Sequence, residues 1–306
     1  MSEKNNTLIV IAGSTAVGKT ALSIQLAKIL HTEILSADAR QFYREMIIGT
    51  AVPSVEEQKS VVHHFIGHLS IFDYYNVNMY EQETLCLLDK LFKKNQYVIL
   101  TGGSGLYIDA VCSGIDALPD IDMQIRDKLQ NQLKTEGLSS LLKELQILDE
   151  AYYNIVDKQN SKRILRALEV CLQTNQTYTS LRTQSVKERN FNIIRICLTL
   201  PRNELYHQIN LRTDKMMQDG FLDEAQTLYP HRNLNALNTV GYKELFEYMD
   251  GKYSMELCID KIKTHTRRYA KRQQTWFGKN NDYAYFEPSQ CEEVLKFITS
   301  RELINK

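Results

Sequence analysis

Two glycines and a lysine–threonine pair open the chemistry of this chain: Gly13-Ser14-Thr15-Ala16-Val17-Gly18-Lys19-Thr20 fits the pattern G-x-x-x-x-G-K-[ST]. The glycines let the backbone wrap an anion, and a helix predicted over residues 19–30 aims its first amides at the same point. Lys19 would neutralise phosphate oxygens and Thr20 would hold Mg2+. The loop implies a diphosphate or polyphosphate ligand without saying which bond breaks. Nucleotide hydrolysis calls for an acid at the end of a second core strand. Here Tyr97-Val98-Ile99-Leu100 runs into Thr101-Gly102-Gly103-Ser104-Gly105, with hydroxyls and glycine amides but no carboxylate. The nearest acid is Asp38, after Glu33-Ile34-Leu35-Ser36-Ala37. At the carboxyl edge of a sheet it would take a proton from an incoming nucleophile while the loop holds the leaving phosphate; capping the next helix is its other use. Arg212 either faces this cleft and stabilises the diphosphate or forms a surface ion pair. His63-His64 has no third ligand at metal-like spacing, so an ordinary polar or core role is expected.

The elements that must position these residues follow from hydrophobic pattern. Short apolar runs at residues 8–12, 33–37 and 97–101 read as buried parallel strands separated by helices, and residues 192–200 return to the same sheet. Between them, residues 118–190 carry leucines at helical spacing, among them Leu133, Leu138, Leu141, Leu142, Leu145 and Leu148. The expected architecture is α/β: a parallel-sheet core like that of P-loop NTPases over residues 1–117 and 191–306, with a helical insertion domain over 118–190. Beyond Pro201 the pattern is helical to the end, with stops at Gly220, Pro230 and Gly251. In the last long helix Met255, Ile259, Ile262, Thr266, Tyr269, Gln273 and Trp276 form one inward seam. Its other faces carry Lys261, Lys263, Arg267, Arg268, Lys271 and Arg272, with no acid between Lys261 and Asn281. Such a run is either a solvated face or a phosphate-binding one.

Composition bounds the setting. The 37 basic and 37 acidic side chains cancel, so any nucleic-acid surface must be local. Six scattered cysteines without a C-x-x-C pair suggest reduced thiols and no zinc site. The polar opening, Met1-Ser2-Glu3-Lys4-Asn5-Asn6, predicts no leader, and no stretch is long enough to span a bilayer, so a cytoplasmic, monomeric protein is expected.

These segments together resemble the tRNA dimethylallyltransferases of bacterial type, nearly end to end. The resemblance rests on Gly13 through to Thr20, Ser36-Ala37-Asp38-Ala39-Arg40-Gln41-Phe42-Tyr43, Gly49-Thr50-Ala51, His63-His64 and Gly102-Gly103-Ser104-Gly105-Leu106-Tyr107. It continues through Asn160-Ser161-Lys162-Arg163-Ile164-Leu165-Arg166-Ala167-Leu168-Glu169, Val240-Gly241-Tyr242-Lys243-Glu244-Leu245 and Thr266-Arg267-Arg268-Tyr269-Ala270-Lys271-Arg272-Gln273-Gln274-Thr275-Trp276-Phe277. The resemblance implies that the loop grips dimethylallyl diphosphate rather than ATP. Asp38 would be the base for the exocyclic amine of the adenosine beside the anticodon, with Mg2+, Lys19 and Thr20 on the departing diphosphate and Ser104 and Arg212 lining the channel. The adenine would leave its stack to reach them. It also implies tRNA contacts from Asp38, Ala39, Arg40, Gln41 and Ser104, from Gln159, Asn160, Ser161, Lys162 and Arg163, from Val240, Gly241, Tyr242 and Lys243, and from Arg126. The basic positions Arg267, Arg268, Lys271 and Arg272 would meet phosphates, and the insertion would clamp the anticodon stem-loop. Departures from the family pattern are Ser14 for a usual proline, Ala39 and Arg40 for a serine and an uncharged residue, Val52 for a frequent lysine, and Ser104 for threonine. The zinc finger of some eukaryotic members is absent.

Two other readings stand beside this one. A P-loop small-molecule kinase would use the loop for ATP and Asp38 for an acceptor hydroxyl, leaving the basic helix unexplained. A catalytically inactive tRNA-binding paralogue would explain the changes at Ala39, Arg40 and Val52. Reversing the charges of Arg268 and Lys271 is expected to weaken tRNA binding and flatten its salt dependence while the diphosphate affinity stays nearly unchanged, as read by binding titrations at several salt concentrations.

Overall fold

The computed structural model describes residues 6–304 except Ala117, Ile121 and Gln184; the polar opening at residues 1–5 and the expected domain limit at 117 lie outside the described residues. The chain divides into two compact units, one comprising residues 1–112 and 189–306 and the other Ser113–Glu188.

In the larger unit six strands form a wholly parallel sheet: β1 (Thr7–Gly13), β2 (Ile34–Ser36), β3 (His63–His64), β4 (Tyr97–Gly102), β5 (Asn192–Leu198) and β6 (Ala284–Phe286), ordered β3-β2-β4-β1-β5-β6. β1 is buried at every position, which is why its sequence is a continuous apolar run. Its side chains still alternate. Leu8, Val10 and Ala12 join a layer with Leu35, Val98 and Leu100, whereas Ile9 and Ile11 join Ile34, Ile99 and Ile196 on the other face. The first layer is covered by α3 (Val77–Leu91) and α4 (Gly105–Ser113) through Tyr80, Leu88, Ile108 and Val111. The second is covered by α1 (Lys19–Ile29), α10 (Arg202–Gln218) and α14 (Cys291–Ile304) through Leu22, Leu26, Leu205, Ile209, Val294 and Ile298. Each such side chain fully withdrawn from water contributes about 1.5–3 kcal/mol.

A third core lies under α11 (Phe221–Leu228), α12 (Tyr242–Met249) and α13 (Met255–Phe277), built on Phe221, Tyr242, Leu245, Cys258 and Ile262. The short α2 (Val55–Ser60) begins at a capping box between Ser54 and Glu57.

The smaller unit is helical, with α5 (Met123–Glu136), α6 (Leu138–Leu148), α7 (Glu150–Ile155), α8 (Ser161–Thr174) and α9 (Tyr178–Leu181) around Leu129, Leu141, Leu145, Ile164 and Leu168. Buried Asp149 ties it together, accepting from Tyr152 N at the start of α7 and from both the amide and the hydroxyl of Thr179.

The expectation of helix to the end past Pro201 is corrected at Ala284–Phe286, which pairs in parallel with Ile196, Cys197 and Leu198. Three residues are too few to show a strand period in sequence, and only the neighbouring edge of β5 fixes their state. The seam of α13 is also rotated from the expected one. Its buried residues are Cys258, Ile262, Ala270, Gln273 and Phe277, while Trp276 is 40 % exposed.

Three loops leave the carboxyl ends of β1, β2 and β4, and they are held very close together. A Cβ at Gly102 would stand 2.2 Å from the carbonyl oxygen of Ala37. Gly102→Ala is therefore expected to cost about 3 kcal/mol, a fall in Tm of roughly 6–12 °C by calorimetry; an unchanged Tm would contradict this close approach.

Candidate active site

The loop between β1 and α1 follows a path that few residues tolerate. Gly18 caps α1 at φ 98°, in the left-handed region, and Ala16 takes φ 63°. Ser14 and Val17 are buried. The Lys19 ammonium donates to the carbonyls of Gly13 (3.1 Å) and Ser14 (2.7 Å). Of the eight expected diphosphate contacts, Gly13 and Ser14 therefore serve differently: they do not line the cavity and offer carbonyls to Lys19, whereas Thr15, Ala16, Val17, Gly18, Lys19 and Thr20 line it.

Asp38 follows β2, and its Oδ1 accepts from Arg40 N at 3.0 Å. Its other oxygen has no protein hydrogen-bond partner among the described residues, which leaves it available to a substrate. Ser104 does not line the cavity. Its hydroxyl accepts from Ala39 N at 3.0 Å and its amide donates to Ala37 O, so it fixes the Asp38 loop from behind. At the end of β4 stands Thr101, whose hydroxyl accepts from Ser23 and donates to the carbonyl of Ile11. The glycines after it are used for packing: Gly102 against Ala37, Gly103 against Gln273 and Gly105 against the Trp276 ring. These close approaches explain the glycines of that loop.

The result is a cavity of about 320 Å3 along the phosphate loop, with Asp38, Thr101, His63 and Gln208 among its walls, and a smaller one of about 80 Å3 walled by Arg40, Thr239, Val240, Gly241, Thr266 and Tyr269. Thr15, Asp38 and Arg212 line both. The Arg212 guanidinium has no hydrogen-bond or ion-pair partner among the described residues, so the surface-pair alternative fails and the cation is available to a ligand. Burial pulls its guanidinium downward, and the carboxylate of Asp38 opposes the shift. Burial likewise lowers Lys19 to about 8, against the pull of Asp38 and with help from Arg212. Burial drives the Tyr269 hydroxyl upward, reinforced by Asp38, so it stays protonated. Among the described residues no cluster of three or more His, Cys, Asp or Glu side chains is set to hold a metal. The Thr20 hydroxyl, on the wall of the larger cavity, suits a Mg2+ ion that takes most of its oxygens from diphosphate and water.

The other expected contacts divide sharply. Gln41 is spent internally, donating to the carbonyls of Thr50 and Ala51 and accepting from Ser36. The Arg40 guanidinium donates to the carbonyls of Asn235 and Ala236, tying the Asp38 loop to the turn before Val240. Tyr242 is a correction: it is wholly buried against Phe221 with its hydroxyl on Glu224, which leaves nothing for a tRNA to touch. Lys243 is exposed. On α13, Lys263 pairs with Asp214, Lys261 lies over the Tyr253 ring, and Arg267 reaches Asn210 and Thr264. Of that basic run Arg268, Lys271 and Arg272 are exposed, with Arg272 lying over the Tyr269 ring at 5.6 Å. In the helical unit, Gln159, Lys162 and Arg163 are exposed, Ser161 is half-buried, and Asn160 caps α8 by accepting from Arg163 N. Arg126 forms a two-pronged pair with buried Glu169, a structural use of the charge.

Sequence reasoning passed over Glu224, Tyr269 and Gln273. The Glu224 carboxylate accepts from the amides of Ile47, Ile48 and Gly49 and from the Tyr242 hydroxyl, shaping the loop whose Thr50 and Ala51 line the cavities. Nothing in its local sequence marks it. Gln273 and Tyr269 did carry a signal, as polar positions within an inward seam. No helix among the described residues is long and apolar enough to cross a membrane.

Comparison with known proteins gives a concordant picture. The model of the IPP transferase family matches residues 41–280. The tRNA dimethylallyltransferase 1 of Bacteroides fragilis is 49% identical over 95% of this chain and 97% of its own. That of Phocaeicola vulgatus is 49% identical over 96% and 98%. Among solved structures, the full-length tRNA isopentenylpyrophosphate transferase of Bacillus halodurans superposes with a TM-score of 0.73 at 33% identity, covering 98% of each chain. A eukaryotic dimethylallyltransferase acting on tRNA, at 23% identity and a TM-score of 0.74, shares the fold.

Burial of Lys19 gives a pH effect of definite sign. The ammonium is present below about pH 8 and is lost above it, so affinity for a diphosphate ligand is expected to fall as pH rises through that value, approaching tenfold per unit. Titration calorimetry across this range should show the fall in the wild type and no such break in Lys19→Met, which binds weakly throughout.

Proposed function

The chain belongs to the IPP transferase family, and from that premise we propose that it transfers a dimethylallyl group from dimethylallyl diphosphate to the exocyclic N6 amine of the adenosine beside the anticodon of tRNA, releasing diphosphate. The observation that carries this reading is the shared wall of Thr15, Asp38 and Arg212. It sets one proton acceptor and one uncommitted cation between a cavity lined by an anion-binding loop and a second cavity able to admit an acceptor.

The amine nitrogen attacks the first carbon of the allyl group as the carbon–oxygen bond breaks and its electron pair leaves with the diphosphate. Asp38 takes the proton from the amine; Arg40 N, donating to Oδ1, orients the carboxylate. An allylic carbon tolerates positive character, so most stabilisation is needed on the leaving group. Lys19, Arg212 and the amides at the start of α1 supply it. Mg2+, when bound, would be held by Thr20 and would neutralise further leaving-group charge. Thr101 in place of an acid at the end of β4 gives no group to position a hydrolytic water, which fits transfer better than nucleotide hydrolysis.

The tRNA would be met by the exposed Arg268, Lys271 and Arg272 and by Lys243, with the helical insertion of residues 118–190 offering Lys162 and Arg163 to the anticodon stem-loop. Ala39, Val240 and Gly241 would border the path of the flipped adenine. Action as a cytoplasmic monomer completes the proposal.

The test is transfer of labelled dimethylallyl from its diphosphate to unmodified tRNA with Mg2+, beside ATP turnover without tRNA. Label should enter tRNA, and Asp38→Asn should bind both substrates while losing about 10²–10⁴-fold in kcat. ATP turnover without tRNA would favour the kinase, and tight tRNA binding without label the inactive paralogue.

A further inference from the structure

Gln273 is the polar exception among the buried positions of α13, which are otherwise Cys258, Ile262, Ala270 and Phe277. A buried carboxamide is costly unless both of its ends are paired. Here Oε1 accepts from Thr15 N at 2.8 Å and Nε2 donates to Gly103 O at 2.8 Å. One side chain therefore joins the loop after β1 to the loop after β4, across a gap that no other residue type at Gly103 would permit: a Cβ there would stand 2.2 Å from Nε2.

Its place in the loop matters as much as its pairing. The first half of the phosphate loop is held by Lys19, through the carbonyls of Gly13 and Ser14, and by Gln273, through the amide of Thr15. When the Lys19 ammonium turns to a diphosphate, those carbonyls lose their donor, and Gln273 is the side-chain tie that remains. Thr15 lines both cavities beside Asp38 and Arg212, so its position sets where the leaving group lies against the base. A leucine or methionine would fill the same space in the seam, and would hold neither loop.

Resting on the prenyl-transfer reading, we propose that Gln273 is a positioning residue for the diphosphate loop: its carboxamide fixes Thr15 against Gly103, so that the loop keeps its anion-binding form while Lys19 moves from the loop carbonyls to the substrate.

The test compares Gln273→Met and Gln273→Glu with the wild type in the tRNA transfer assay, at about pH 8 and about pH 6. Gln273→Met keeps the volume and loses both hydrogen bonds, so KM for dimethylallyl diphosphate should rise about tenfold at either pH, with KM for tRNA within about twofold of the wild type. In Gln273→Glu the ionised carboxylate still accepts from Thr15 N but cannot donate to Gly103 O. Once protonated, which burial favours, it does both. Its KM for dimethylallyl diphosphate relative to the wild type should therefore be raised at the higher pH and return toward one at the lower. A Gln273→Met enzyme with unchanged KM for dimethylallyl diphosphate, or with both KM values raised alike, would overturn the proposal. Should that variant not fold, Gln273→Glu decides, and a ratio that does not change with pH overturns it. Absence of label from tRNA with the wild type would instead sink the prenyl-transfer reading, and the same variant ratios would then be taken from the Kd for dimethylallyl diphosphate.

Discussion

Lys19 is held inside the loop it serves, its ammonium resting on the carbonyls of Gly13 and Ser14, while Arg212 stands without a protein partner on the wall of the same cavity. Glu57 also lines this cavity, and the carboxylate that acts on both cations is that of Asp38. Withdrawing a cation from water is costly, and the depressed Lys19 shows that the cost is only partly offset by that carboxylate. Two desolvated cations beside the phosphate loop are complementary to an anion before any arrives. The loops around them are held in place.

Long-range hydrogen bonds supply that rigidity. Ser104 fixes Ala39, Gln41 fixes Thr50 and Ala51, Arg40 fixes Asn235 and Ala236, and Glu224 fixes the three amides before Thr50. All but the Gln41 pair, which spans about ten positions, join a loop at the carboxyl edge of the sheet to a segment distant in sequence. The departure from the family pattern at Arg40 acquires a role in this frame: its charge is turned onto backbone carbonyls, where it holds the base loop to the turn that walls the smaller cavity. Nothing in the structure gives Val52 a comparable role.

Helix α13 does several jobs at once because a helix presents different residues every hundred degrees. One face enters the core through Ala270 and Phe277, another brings Tyr269 to the cavity wall, and a third leaves Arg268, Lys271 and Arg272 in solvent. A single rigid element can therefore answer both to the diphosphate loop and to a polyanion outside.

The amino-acid sequence by itself determined what is local: the glycine-lysine-threonine loop, the apolar period of β1, β2, β4 and β5, the helical insertion, and Asp38 at a strand end. It determined these because backbone preference, burial period and anion chemistry act over a few residues. Tertiary structure alone decided the rest. It made a strand of Ala284–Phe286, turned Trp276 outward and Gln273 inward, buried Tyr242, and divided one basic run into partly buried and exposed charges. Those outcomes depend on partners up to 258 positions away, as between Thr15 and Gln273, and a residue type does not reveal which distant backbone group it will meet.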